Sequence, residues 1–284
     1  MLLNKFIRIE SKPFCFISVE YLKEKGIPFK NSLYASIDDL LSNQEKKDFE
    51  KLVGMNHSLA QTVKQCKATI SYPPNGLPML LYGPTGTGKS LIAKLTYEWA
   101  RNQGVISKNG QFVQVNCSEY ANNPELLTAN LFGHVKGAFT GAEKDNEGLI
   151  ALADNGVLFL DEVHELKAEC QEKLFLFMDQ GIYHRVGDNE KWYKSNVRIV
   201  FATTENPDKV LLKTLMRRIP MTITIPSLEQ RGTQERIELL HDIFSQEEKR
   251  LDCQIKISSK VYNALLQSKM PGNIGQLKSS VQSC

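Results

Sequence analysis

The stretch Gly83-Pro84-Thr85-Gly86-Thr87-Gly88-Lys89-Ser90 constrains this chain more than any other. It fills the pattern G-x-x-x-x-G-K-[ST]. It stands between a short apolar run, Met79 to Tyr82, and a helix-patterned stretch, Leu91 to Arg101. Glycines in a strand-to-helix turn let the backbone wrap tightly, so that several N–H groups point into one hollow. A helix beginning near Lys89 adds its positive N-terminal end. Such a hollow suits the phosphates of ATP. Gly83, Pro84, Thr85, Gly86, Thr87, Gly88, Lys89, Ser90 and Leu91 form the expected cradle. Within it Lys89 reaches the outer phosphates and the Ser90 hydroxyl is a ligand for Mg2+.

The strand–turn–helix unit repeats. Phe112 to Val115, Val157 to Leu160, Val197 to Ala202 and Thr222 to Ile225 read as further buried strands. Helical patterns cover Pro124 to Phe132, Lys167 to Gln180 and Asp208 to Leu215. The alternation predicts an α/β domain at 51–230, a parallel five-stranded sheet flanked by helices. Upstream, Leu59, Val63, Cys66 and Ile70 recur at helical spacing, which predicts a helix from Ser58 to Ile70 capped by Ser58 or Asn56. After Pro226 the strands stop. Helical patterns at Gln234 to Lys249, Val261 to Leu266 and Ile274 to Val281 predict a small all-helical lid at 231–284. Residues 1–50, broken by Pro13, Gly26 and Pro28, read as an irregular linker with a short helix from Ile37 to Leu41.

Composition excludes several classes. Hydrophobic residues at 42% and charged residues at 24% match a soluble globular chain. A net charge of +3 is too mild to argue for nucleic acid. The six cysteines are scattered without a C-x-x-C pair, so reduced thiols in a cytoplasmic protein are expected. Charges interrupt the apolar residues of the first ten positions, and no apolar run approaches the roughly 20 residues that span a bilayer.

Two more motifs carry chemistry. Gly156 to Leu160 is an apolar strand that ends in Asp161-Glu162. Paired with the Lys89 loop, Asp161 is expected in the Mg2+ shell and Glu162 on the attacking water. His164 does not open an H-E-x-x-H zinc motif, because Ala168 stands where the second His would be. It is expected to lie at the surface or behind the site. In Gly137-Ala138-Phe139-Thr140-Gly141-Ala142, small residues flank one aromatic and one hydroxyl. Such a stretch makes a poor core and a good loop tip for gripping a partner.

This hexapeptide resembles the signature loop of the sigma-54-dependent activators, the AAA+ bacterial enhancer-binding proteins. So does the chain from Gly148 through Asp161-Glu162 to Arg185-Val186-Gly187. The resemblance spans roughly residues 52 to 284. Tyr72-Pro73-Pro74-Asn75-Gly76-Leu77 and Gly272-Asn273-Ile274-Gly275-Gln276-Leu277 are most similar to the levanase-operon regulator branch, whose members regulate sugar phosphotransferase operons. The resemblance implies an ATPase that remodels sigma-54 RNA polymerase from a ring, family-style a hexamer. It implies that Gly137 to Ala142 contact sigma-54, that Asn116 is a switch for Glu162, and that Thr204 takes a sensor position where the family more often has Asn. Arg217 or Arg218 would be the arginine finger acting on a neighbouring subunit's site. A second family arginine is missing at Leu211, and Gly275 replaces the usual lid arginine. DNA-binding and regulatory domains belong outside this module, and residues 1–50 show no helix-turn-helix. Two rival readings remain open: another AAA+ remodeller, or an ATP-binding scaffold with negligible hydrolysis.

Overall fold

A computed structural model describes residues 6–9, 15–18, 49 and 52–283, in two units, Met1–Leu52 and Val53–Cys284. In the first, β1 (Phe6–Ile9) pairs antiparallel with β2 (Cys15–Ser18), Phe6 opposite Ser18. The stretch read as an irregular linker therefore holds a strand pair, and its Phe and Ile content suits one. The helix expected from Ile37 to Leu41 lies outside the described residues.

The second unit is built on five parallel strands. They are β3 (Met79–Tyr82), β4 (Phe112–Asn116), β5 (Val157–Asp161), β8 (Arg198–Thr203) and β9 (Met221–Thr224), in the spatial order β4-β5-β8-β3-β9. A separate hairpin pairs β6 (Ile182–Tyr183) with β7 (Tyr193–Lys194). Burial follows place in the sheet. Val157 to Leu160, all of β8 and Met79 to Leu81 are buried, whereas the edge strands β4 and β9 alternate. A strand covered by helices on both faces needs apolar groups on both. That is why the central strands read as unbroken apolar runs.

The helices of this layer are α1 (Ala60–Ile70), α2 (Lys89–Asn102), α3 (Pro124–Phe132), α4 (Leu149–Leu152), α5 (Ala168–Gln180), α6 (Pro207–Val210) and α7 (Lys213–Met216). Leu127 and Leu131 of α3, Leu174 and Phe177 of α5, and Leu158, Leu160 and Phe201 of the sheet share one core. Each such side chain contributes about 1.5–3 kcal/mol by leaving water. Two local expectations change. Helix α1 starts after Leu59 without a side-chain cap, because the amide and hydroxyl of Ser58 both donate to Glu235. The single helix expected from Asp208 to Leu215 is two. Leu211 and Leu212 are extended, and the Leu212 amide donates to the side chain of buried Gln171 at 2.8 Å, which draws the backbone out of the helical ladder.

The strands end at Thr224. Helices α8 (Thr233–Leu251), α9 (Ser259–Gln267) and α10 (Asn273–Gln282) then gather around Leu239, Leu240, Ile243, Phe244, Leu265 and Leu277. Among the described residues no helix is long and apolar enough to cross a membrane. Cys66 and Cys170 are buried and unbridged, and burial pushes their thiols up to about 12 and about 11.

Candidate functional site

The expected groups converge because parallel strands place their C-terminal ends on one edge. The loop Gly83–Gly88 leaves β3 and enters α2. Gly88, the residue before α2, has φ +97°, a conformation that favours glycine. Gly86 has φ +71°, and a Cβ there would stand 2.2 Å from the Gly272 carbonyl oxygen. Lys89 is buried and turns back over the loop. Its Nζ donates to the carbonyls of Gly83 at 2.8 Å and Pro84 at 3.2 Å. Thr87 Oγ1 also donates to Pro84. Burial lowers the Lys89 pKa, while Glu162 and Asp161 act in the opposite sense. Leu91 lies half exposed on the first turn of α2.

At the end of β5, Ser90 Oγ donates to Asp161 Oδ2 at 2.8 Å. The Glu162 amide donates to the other Asp161 oxygen at 3.0 Å. Glu162 sits at φ +50°, ψ +50°, the left-handed region that a residue with a Cβ rarely adopts. Thr204, just past β8, donates Oγ1 to Glu162 Oε2 at 3.0 Å. The same oxygen lies 3.3 Å from His164 Nδ1, which is also 3.2 Å from Thr203 Oγ1. Asn116 pairs with Asp161 across the β4–β5 ladder, but its Oδ1 accepts from the amide and hydroxyl of Ser118 and caps the 3₁₀ turn Cys117–Tyr120. The structure thus gathers Lys89, Ser90, Asp161, Glu162 and Thr204, with Asn116 alongside but turned to Ser118. A hydroxyl and a carboxylate 2.8 Å apart are hard oxygen donors of the kind Mg2+ takes, and a buried ammonium over a glycine loop fits a polyphosphate.

The lid grips this loop through residues whose role was not legible in the sequence. Asn273, at φ +54°, donates Nδ2 to the Thr85 carbonyl at 2.8 Å. The Ile274 amide donates to Gly86, and Arg231 Nη2 donates to Thr87 at 3.2 Å. Three successive loop carbonyls are therefore held from the lid side. Gly275 packs on the same backbone, and a Cβ there would meet only Gly86 Cα, at 3.6 Å. That is ordinary van der Waals contact, so a Cβ fits at this position.

The two candidate finger arginines differ. Arg218 Nη2 lies 2.6 Å from Asp179 Oδ1, with its guanidinium 5.2 Å above Phe175. Arg217 is exposed at the end of α7, with no side-chain partner among the described residues. The Gly137–Ala142 stretch forms a turn in which the Gly137 amide donates to Ala142 and the Ala142 amide to Phe139. Gly137 and Gly141 have φ +82° and +98°. Phe139 keeps 39% of its surface exposed, its ring edge-on to His134 at 4.9 Å. Thr140 and Ala138 border a cleft of about 630 Å³ with Leu126 and Val186.

Sheet order, phosphate loop, strand-end carboxylates and helical lid together define a nucleotide-binding P-loop module of the AAA+ class. Residues 52–223 match the sigma-54 interaction domain, and the chain belongs to that family. It is 44% identical to the transcriptional regulatory protein LevR of Bacillus subtilis over 98% of its own length and 31% of that protein. It is 38% identical to the transcriptional regulatory protein DagR of Salmonella typhimurium, over 97% of its length and 30% of that protein. The chain thus spans less than a third of these curated relatives. Among solved structures, NtrX from Brucella abortus superimposes with a TM-score of 0.67 at 25% identity, covering 87% of this chain and 55% of that one. NtrX in complex with ATP matches with the same TM-score and identity, over 85% and 52%.

Proposed function

We propose that this chain is the ATP-hydrolysing module of a sigma-54-dependent transcriptional activator, remodelling the polymerase at sugar phosphotransferase-type operons. The observation that carries the reading is the Ser90–Asp161–Glu162 cluster set against the buried Lys89 ammonium. Lys89 and the loop amides bind the phosphates. Ser90 and Asp161 hold Mg2+, which when bound supplies positive charge to the phosphate oxygens. Glu162 takes the proton of the attacking water. That NtrX, of the same fold, is found in complex with ATP supports nucleotide binding by this module. In the family manner the module works in the cytoplasm as a ring, and DNA is contacted by other domains. Gly275 favours a second reading, an ATP-binding scaffold that barely hydrolyses, and a steady-state ATPase assay decides between the two.

Between the arginines, Arg217 is the better finger, because Arg218 already pairs with Asp179. Specific ATPase activity should therefore rise with protein concentration as subunits assemble. Arg217→Ala should lower it by roughly 1,000-fold or more, the scale of an arginine finger. Arg218→Ala should cost far less. A concentration-independent monomeric activity would contradict a shared site.

Phe139 and Thr140 lie on a glycine-bounded turn outside the Lys89–Asp161–Glu162 cluster. Phe139→Ala and Thr140→Ala should leave ATPase rates within a few-fold but weaken capture of purified sigma-54 in the presence of an ATP transition-state mimic. Covering the 39% of Phe139 that is still exposed is worth about 0.6–1.2 kcal/mol, or about 3- to 8-fold in affinity. Normal capture by both variants would remove the loop from the partner interface.

A further inference from the structure

We propose that His164 is a positioning residue for Glu162, its Nδ1–H tying the carboxylate to the end of β8. The proposal rests on the ATPase reading above and deepens it. The protonation of the ring follows from its neighbours. Nδ1 faces Glu162 Oε2 at 3.3 Å and Thr203 Oγ1 at 3.2 Å. The ionised carboxylate only accepts. The Thr203 hydroxyl donates to the Glu205 carbonyl, and its oxygen accepts the Glu205 amide, so it too faces His164 as an acceptor. Both neighbours require the hydrogen on Nδ1. The other ring nitrogen lies 3.5 Å from Glu165 Oε1 and makes no hydrogen bond to it, so the ring is held from the Nδ1 side.

Glu162 needs such a hold. Its backbone is in the left-handed region, a conformation that persists only where the surroundings enforce it. Its amide is fixed on Asp161. Its Oε2 accepts from Thr204 Oγ1 and lies 3.3 Å from His164 Nδ1, close enough for the Nδ1–H to be shared between it and Thr203 Oγ1. One donor leaves the carboxylate free to swing about the bond, whereas a second beside it fixes its direction. Asn116 does not share this task here, since its carboxamide caps the Ser118 turn and its Nδ2, the group that could donate to a carboxylate, makes no hydrogen bond to Glu162. Through Thr203, His164 couples Glu162 to β8, and β8 pairs directly with β3, the strand that feeds the phosphate loop.

The test uses the whole chain in two measurements. In ATPase kinetics, His164→Ala should lower kcat about tenfold with KM for ATP unchanged, as expected for a displaced catalytic group. His164→Asn, whose amide places an N–H close to the position of Nδ1, should restore most of the rate. Nitrogen-15 NMR of the imidazoles should show Nδ1 of His164 protonated in the wild type, a result that needs no turnover. Full kcat in the alanine variant, an equal loss in the asparagine variant, or a bare Nδ1 would each overturn the proposal. A wild-type chain that hydrolyses no ATP at any concentration while Nδ1 carries its proton would instead bring down the ATPase reading.

Discussion

Lys89→Ala should abolish measurable ATP binding while the fold persists. The ammonium is buried and burial lowers its pKa, while Glu162 and Asp161 act in the opposite sense and the Gly83 and Pro84 carbonyls accept its hydrogens. Hydrogen bonds to charged groups contribute about 1.5–3 kcal/mol each. Losing two such bonds to phosphate oxygens weakens binding by at least about 100-fold. The fold should survive, because the core around Leu158 and Phe201 does not depend on Lys89. Calorimetric titration with ATP reads the loss, and thermal unfolding confirms the fold. Unchanged affinity in a folded variant would mean that the phosphates are held elsewhere.

The parts of this molecule that were legible in the sequence are those set by neighbours along the chain. The three central strands of the main sheet stand out because helix cover on both faces demands unbroken apolar runs, the two edge strands stand out as short apolar stretches between turns, and each of the five begins and ends within one residue of its expected place. The phosphate loop is legible for the same reason, since Gly88 must be left-handed where it stands. What was not legible is carried by bonds between residues far apart in sequence. Ser58 suits a helix cap by local rules, yet it is claimed by Glu235. The helix expected through Leu211 and Leu212 is interrupted by Gln171 from α5. Asn273 and Arg231 hold loop carbonyls from the lid, and no window around either residue points to Thr85 or Thr87. His164 carries no metal pattern and is expected at the surface or behind the site; it stands behind it, against Glu162, but nothing in its sequence window names that neighbour. Asn116 shows the converse. Its place at the end of β4 was legible, but the neighbour that takes its side chain, Ser118, was not.

Glu162→Gln separates binding from chemistry. The amide is nearly isosteric, so Thr204 Oγ1 can still donate to its remaining oxygen with His164 Nδ1 beside it, and the left-handed backbone keeps its bond to Asp161. Neither the Lys89 contacts nor the Ser90–Asp161 pair is touched. ATP affinity should therefore stay near wild type. The amide cannot accept a proton from water, and a general base contributes about 10²–10⁴ in rate. Turnover should fall by roughly 100-fold or more, equivalent to about 2.7 kcal/mol of barrier. Glu162→Asp probes the same group differently, because it keeps the base but withdraws it by one methylene from Thr204 and His164. Its rate should fall between those of the wild type and the glutamine variant. Single-turnover hydrolysis at saturating ATP measures each rate directly, independent of product release. A glutamine variant that turns over at a near wild-type rate would take Glu162 out of the mechanism, and the strained backbone at that position would then need another reason to exist.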